Sequence, residues 1–224
     1  MAQKMDFKQT QKELYQPSRE PGLVDVPEML FLMADGRGNP NQEGGEYKKA
    51  VEALYALTFT IKMSVKGGKA LSGYFEYAVP PLEGLWWLLD EKDTDFFTGK
   101  ERYCWTSMIR QPEFVTEEVL TWAREEVRRR KPGIDVSQVR LHSFAEGLCV
   151  QAMHLGPYEK EPETLAVMNV YMDGSGLDSD VGSQLQNGMR RRHHEIYLGD
   201  PRRTKPQNMK TVLRHPVKRR ETLQ

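Results

Sequence analysis

A carboxylate inside an apolar strand is the residue in this chain most in need of a chemical reason. Glu195 lies in His193-His194-Glu195-Ile196-Tyr197-Leu198, followed by Gly199-Asp200-Pro201. Apolar and β-branched runs bounded by Gly, Pro and Asp read as hairpin strands, and Val212-Leu213 after Lys210 supplies the second strand. Residues two apart on a strand share a face. His193, Glu195 and Tyr197 therefore point one way, and His194 and Ile196 the other. Half-buried, Glu195 costs free energy unless it is paired or put to use. Pairing could come from Arg190 to Arg192 or from Arg202. Use could take two forms. An acid among aromatic rings attracts planar or cationic apolar molecules, at roughly 0.5–2 kcal/mol per ring contact. It can also take a proton from an attacking water.

Other side chains with chemical capacity are fewer. Tyr158 follows Gly156-Pro157, a turn that lifts a phenol to the edge of its module. Tyr77, Trp87, Trp105 and Tyr197 are strand aromatics, which are core as often as they are pocket wall. Trp86 and Trp87 are adjacent, so only one of them faces a given side. Five histidines are scattered, and His193 and His194 diverge, so no metal site is expected. Cys104 and Cys149 have no zinc-type spacing and are expected reduced and buried. There is no G-x-S-x-G elbow. The glycines at 36 and 38 lack the third glycine of a dinucleotide fingerprint, and Gly67-Gly68-Lys69 lacks the upstream glycine of a phosphate loop. The Gly/Ser/Asp-rich stretch from 173 to 188 fails calcium-loop spacing. No cofactor is expected.

The elements that must position these residues can be traced in order. Residues 1–22 read as a polar arm, Val24 to Ala34 as a strand, and Glu46 to Met63 as a helix. In that helix Tyr47, Ala50, Val51, Leu54, Leu57, Thr58 and Ile61 form one face. Leu71 to Val79, Leu82 to Leu89 and Glu101 to Arg110 follow as strands, with a charged loop from Asp90 to Lys100. Thr116 caps a helix running to about Lys131, with Glu117 and Glu118 in its first turn and Arg128 to Lys131 in its last, as the helix dipole favours. Leu148 to Leu155 is a strand, Glu161 to Met172 a helix, and the hairpin from His193 to Val217 closes the chain. The plan repeats. Tyr74-Phe75-Glu76-Tyr77 echoes His193 to Tyr197, and Met33-Ala34-Asp35-Gly36 echoes Met153-His154-Leu155-Gly156.

The expected fold is therefore α+β: tandem duplicated βαββ modules, about 23–112 and 146–224, joined by a helix near 116–131. Antiparallel sheets carry helices on one side, and a ligand groove lies at the module junction. Residues 23–224 count as a single domain after the arm. The chain's 224 residues can bury a core without staples.

Charge and hydropathy narrow the partners. Net charge is zero, so no global field favours nucleic acid or membrane. From Arg190 onward there are eleven Lys/Arg against three Asp/Glu, but aromatic interleaving for base stacking is absent apart from Tyr197. Nucleic acid is disfavoured. No signal peptide or span of about 20 apolar residues is visible, which places the chain in the cytoplasm. A homodimer through a strand edge or a Trp patch is left open.

Three motifs in order carry a resemblance: His154-x-Gly156-Pro157-Tyr158, then H-H-E-I-Y-L-x-D-P-R from His193, then K-T-V-L-R-x-P-V from Lys210 to Val217. With them the chain resembles the GyrI-like small-molecule-binding family, and within it the stand-alone bacterial branch. The resemblance covers nearly the whole chain. It implies a pocket-floor glutamate at Glu195, a pocket-facing tyrosine at Tyr158, and a planar aromatic or hydrophobic small molecule as partner. Members of that branch include hydrolases that open the cyclopropane of cyclopropanoid DNA-alkylating compounds of the yatakemycin and duocarmycin type, protecting against genotoxins. For that chemistry Glu195 is assigned as base and Tyr158 as donor, with Tyr77, Trp87, Trp105 and Tyr197 as pocket walls. The alternative is a non-catalytic multidrug-sequestering or effector-sensing protein. The N-terminal stretch is too short for the fused DNA-binding domain of the family's regulators.

Overall fold

The structure, a computed structural model, describes residues 4–90, 99–200 and 203–221. Most of the charged loop expected from Asp90 to Lys100 lies outside the described residues, as do Pro201 and Arg202. The elements are α1 (Phe7–Thr10), α2 (Lys12–Tyr15), β1 (Gly22–Arg37), α3 (Glu46–Lys62), β2 (Leu82–Leu88), β3 (Tyr103–Gln111), α4 (Glu117–Arg130), β4 (Arg140–Leu155), α5 (Glu161–Gly174), β5 (Leu177–Ser179), β6 (His193–Tyr197) and β7 (Lys210–Arg219). The fold class is α+β with antiparallel pairing. Two compact units divide the chain, one of Met1–Thr10 and Met29–Ser143, the other of Gln11–Glu28 and Phe144–Gln224.

In the first unit β3 is the central strand. It pairs antiparallel with β1, Met33 opposite Met108 and Gly36 opposite Trp105, and with β2, Trp86 opposite Trp105. All nine β3 residues are buried, as continuous apolar strands covered on both faces should be. α3 and α4 supply Leu54, Leu57, Ile61, Leu120, Ala123 and Val127 to the core around Leu32 and Ile109. α4 starts as its sequence indicates: the Thr116 hydroxyl accepts from the Val119 amide. Gly36 has a packing reason. A Cβ there would stand 2.2 Å from the Trp105 ring, so only glycine lets that indole lie flat on the neighbouring strand.

Two expectations are corrected here. Leu71 to Val79 is not a strand. Apart from a bridge between Tyr77 and Met5, it has no ladder. Its aromatics instead gather around Phe114, with ring centroids of Tyr74, Phe75 and Tyr77 at 5.3, 5.5 and 6.0 Å. Gly73 turns the chain at φ +73°, and the Met5 amide and carbonyl take the hydrogen bonds of Glu76 and Ala78. Glu76 is exposed and bonded to Lys62 and Tyr74, so it is no counterpart of Glu195. The strand that pairs with β3 as β6 pairs with β7 is β2. Nor is the N-terminal stretch a loose arm, since Phe7, Leu14 and Tyr15 are buried, and Phe7 lies 4.1 Å beneath the Arg110 guanidinium.

In the second unit β7 is central. It pairs with β4 (Ala152 opposite Leu213, His154 opposite Thr211), with β6 (Glu195 opposite Leu213, Tyr197 opposite Thr211) and with the short β5. Opposed residues in an antiparallel pair share a face. One face carries Val150, Ala152 and Leu213, which pack with Met168 and Met172 of α5. The other carries Arg214, which is fully buried. Its guanidinium donates to Gln151 Oε1 at 3.0 and 3.1 Å, to the Leu14 carbonyl at 2.7 Å and to Glu146 Oε2 at 3.3 Å. His194 Nδ1 meets the same Glu146 oxygen at 2.9 Å. Burial alone would push the Glu146 carboxyl up, but His194 and Arg214 outweigh it and hold it below its usual value. Breaking one side of such a network leaves an uncompensated buried charge, at about 3–5 kcal/mol. Arg214→Ala is therefore expected to lower unfolding stability by that amount in urea titration. It should also raise amide exchange at residues 12–16, whose anchor it removes.

Candidate functional site

Strand alternation sets the site. His193, Glu195 and Tyr197 lie on one face of β6, as the sequence indicates, and their side chains form a connected row. The Tyr197 hydroxyl donates to Glu195 Oε2 at 2.8 Å, and His193 Nε2 meets Glu195 Oε1 at 3.0 Å. A carboxylate only accepts hydrogen bonds, so Nε2 carries the proton. His193 Nδ1 lies 2.7 Å from His215 Nε2. Burial, then the neighbouring His193, pushes His215 down to about 3, so its ring is neutral around neutrality. The row from His215 through His193 to Glu195 fixes the carboxylate's orientation.

α5 brings a second carboxyl to this row. Glu161 opens the helix, followed by Pro162, and is 4% exposed. The ligating atoms of Glu161, His193 and Glu195 all lie within 4.8 Å of one another. A helix N-terminus favours an anion by about 0.3–1 kcal/mol. Desolvating a carboxylate costs several times that, and burial wins. Burial first, then Glu195 and Glu159, raises Glu161 to about 10, against a smaller opposing hydrogen bond with Thr211. Its Oε1 has no hydrogen-bond partner. Two carboxyls and an imidazole are a donor set that a zinc-type cation accepts, so these residues could hold a metal, although the sequence gives no reason to expect one.

Tyr158 sits in the turn before α5, with its ring edge-on to Tyr197 at 5.9 Å. Burial, followed by the charge of Glu195, raises its phenol, so it keeps its proton and can donate. The remaining candidates belong to the first unit. Tyr77 and Trp105 are fully buried and Trp87 is partly exposed. Tyr77 is packed against Phe75 and Phe114, and Trp105 against Tyr47. Both rings do core work, yet Tyr77 OH and Trp105 Nε1 have no hydrogen-bond partner.

Comparison with known proteins decides the family. The model of the GyrI-like small molecule binding domain matches residues 19–218. The chain belongs to this family. Two solved structures described as hydrolases from Listeria innocua are 48% and 49% identical to this GyrI-like chain, cover 96% of it and 100% of their own length, and superpose with a TM-score of 0.85. A third, described as an uncharacterized conserved protein from Listeria innocua, is 49% identical over the same coverage with a TM-score of 0.88. A search of the curated proteins finds no match. Among the described residues, no helix is long and apolar enough to cross a membrane.

Sequence reasoning missed Glu161, His215 and the part played by His193. His215 was within reach, because it alternates with Thr211 and Leu213 on the strand paired with β6. Glu161 had a weaker signal: an acid three residues after the Gly-Pro-Tyr turn, at a helix start.

Glu161 also links stability to pH. The unfolded chain releases this proton above the ordinary value of 4.5, whereas the folded chain keeps it to about 10. The stability it contributes is therefore full below 4.5 and declines as pH rises toward 10, by about 1.4 kcal/mol per unit. Glu161→Gln is expected to fold more stably. The gain should be on the order of 3 kcal/mol at pH 7, larger at pH 9 and near zero at pH 4.5, read from urea denaturation at the three values.

Proposed function

We propose that this protein is a hydrolase that opens the cyclopropane ring of cyclopropanoid DNA-alkylating compounds by adding water, and so protects its cell from genotoxins. The observation that carries the reading is Glu195: a buried carboxylate held at both oxygens, by His193 and by Tyr197, beside a phenol that keeps its proton. The likeness to hydrolases from Listeria innocua supports the reaction class.

The chemistry needs little more. The cyclopropane is conjugated to a dienone and is already electrophilic. Glu195 takes a proton from water as the water oxygen bonds to the ring carbon. The C–C bond breaks, and its electron pair moves through the dienone to the carbonyl oxygen. Tyr158 donates a hydrogen bond to that oxygen as it becomes a phenolate, a charge that a preorganised donor stabilises. Tyr197, edge-on to Tyr158, offers ring surface to a flat polycycle.

A second reading has an observation in its favour. Both Glu195 oxygens already accept hydrogen bonds, which suits a fixed negative charge that binds drugs without turning them over. Mass spectrometry of a duocarmycin-type compound incubated with the protein separates the two. The expected result is catalytic appearance of the water adduct. Turnover should fall about 10²–10⁴-fold in Glu195→Gln and about 10²–10³-fold in Tyr158→Phe. Tight binding with the compound recovered intact would replace the hydrolase by a sequestering protein.

A further inference from the structure

We propose that His154 is the positioning residue of Tyr158: its imidazole ties the Pro157 carbonyl to α5 and so fixes the turn from which the phenol projects beside Tyr197.

His154 lies near the end of β4, one residue before the strand stops. Its partner on β7 is Thr211, and Thr211 also pairs with Tyr197 of β6. Opposed residues share a face, so His154 and Tyr197 stand on the same side of the sheet. The His154 side chain is 3% exposed, and both ring nitrogens are used. Nδ1 meets the Thr164 hydroxyl of α5 at 2.8 Å, and Nε2 meets the Pro157 carbonyl at 3.1 Å. A carbonyl only accepts, so Nε2 is the donor. An apolar residue would fill this space without the cost of burying two polar atoms. What the imidazole adds is a rigid link between helix and turn.

The carbonyl it holds is the one that directs Tyr158. A planar peptide group carries the Pro157 oxygen and the Tyr158 Cα in one plane. Fixing that oxygen fixes the direction in which residue 158 leaves the turn. The same carbonyl accepts from the Lys160 amide at 2.9 Å, and the Gly156 amide donates to the Met209 carbonyl, just before β7, at 3.0 Å. Gly156 has φ +132°. Glycine enters that conformation at no steric cost and leaves it as easily, so the ties must come from outside the turn. His154 is the side chain that supplies one. Tyr158 itself is half-buried, with its ring edge-on to Tyr197 at 5.9 Å.

The consequence for turnover rests on the hydrolase reading, in which Tyr158 donates to the forming phenolate. A reacting group misplaced by about 1 Å loses on the order of 10²-fold. His154 therefore acts on kcat, through Tyr158, and little on binding.

Two amides separate the tie from simple packing. Gln at 154 places its nitrogen where Nε2 stands and keeps the bond to Pro157. Asn places its nitrogen near Nδ1 and keeps only the Thr164 side. The full chain carrying ¹³Cζ-labelled tyrosine is observed by NMR at pH 7, with Tyr158→Phe assigning the Tyr158 resonance and circular dichroism checking the fold. His154→Gln is expected to leave that resonance in place, and His154→Asn to shift or broaden it. Thr164→Val, which unties the ring without removing it, should move the same resonance, and it carries the comparison if His154→Asn does not fold. With a duocarmycin-type compound, His154→Asn should lower kcat about 10–10²-fold and leave KM within about threefold, and His154→Gln should recover most of the loss. In a Tyr158→Phe background His154→Asn should cost less than about twofold, because the phenol it positions is gone. A Tyr158 resonance unmoved in both His154→Asn and Thr164→Val would overturn the proposal. So would equal losses in the Gln and Asn variants, which would mean packing alone, or an undiminished loss in the Tyr158→Phe background. A wild-type protein that turns over no cyclopropanoid would count against the hydrolase reading alone, and the NMR comparison would then decide the positioning role.

Discussion

The register of β6 on β7 is the constraint from which the second unit follows. Pairing Glu195 with Leu213 and His194 with Arg214 sorts every polar side chain of the hairpin onto one of two faces. On one, His193, Glu195 and Thr211 meet Glu161 at the start of α5, with Tyr197 and His215 on the same face. On the other, His194 and Arg214 meet Glu146 and Gln151. A slip of one residue would exchange the two sets. It would put Arg214 against the apolar contacts of Met168 and Met172 and turn Glu195 toward Glu146. Burial on both faces makes that slip prohibitively unfavourable, so the register that stabilises the fold also assembles the site.

The two faces treat buried charge in different ways. Glu146 is held by the Arg214 guanidinium and by the His194 imidazole, and its carboxyl is held low. Glu195 has an imidazole and a phenol as its described partners, and Glu161 beside it is pushed high. The first arrangement is what a structural acid requires. The second leaves charge and proton unbalanced across a few ångströms, which costs stability and is characteristic of sites that move protons. The hairpin thus meets the charge-paired Glu146 on one side and carries Glu195, the proposed base, on the other.

What could be read along the chain was mostly periodic. Alternation placed His193, Glu195 and Tyr197 together, and spacing at three and four residues placed the buried face of α3. Thr116 and the charge order after it placed α4. Errors arose where local pattern was ambiguous. Tyr74 to Tyr77 has strand composition, but its aromatics gain more from clustering on Phe114 than from a ladder with no partner strand. The polar half of β4, from Arg140 to Gly147, has little apolar alternation, and pairing with its neighbours made it a strand. β5 hid in a stretch of turn residues because three residues give no period to detect.

Sequence by itself determined which residues share a strand face and which helices cap and stop, because those depend on bond geometry over a few residues. It therefore identified Glu195 as an acid in need of a reason, and Tyr158 and Tyr197 as phenols with access to it. Tertiary structure alone decided what Glu195 meets. Glu161 is thirty-four positions away along the chain and His215 twenty, and no local spacing relates them to Glu195. Their contacts come from strand pairing and from packing α5 over Val150, Ala152 and Leu213. The proton balance of the site arises the same way, since burial and neighbouring charge exist only once the chain has folded.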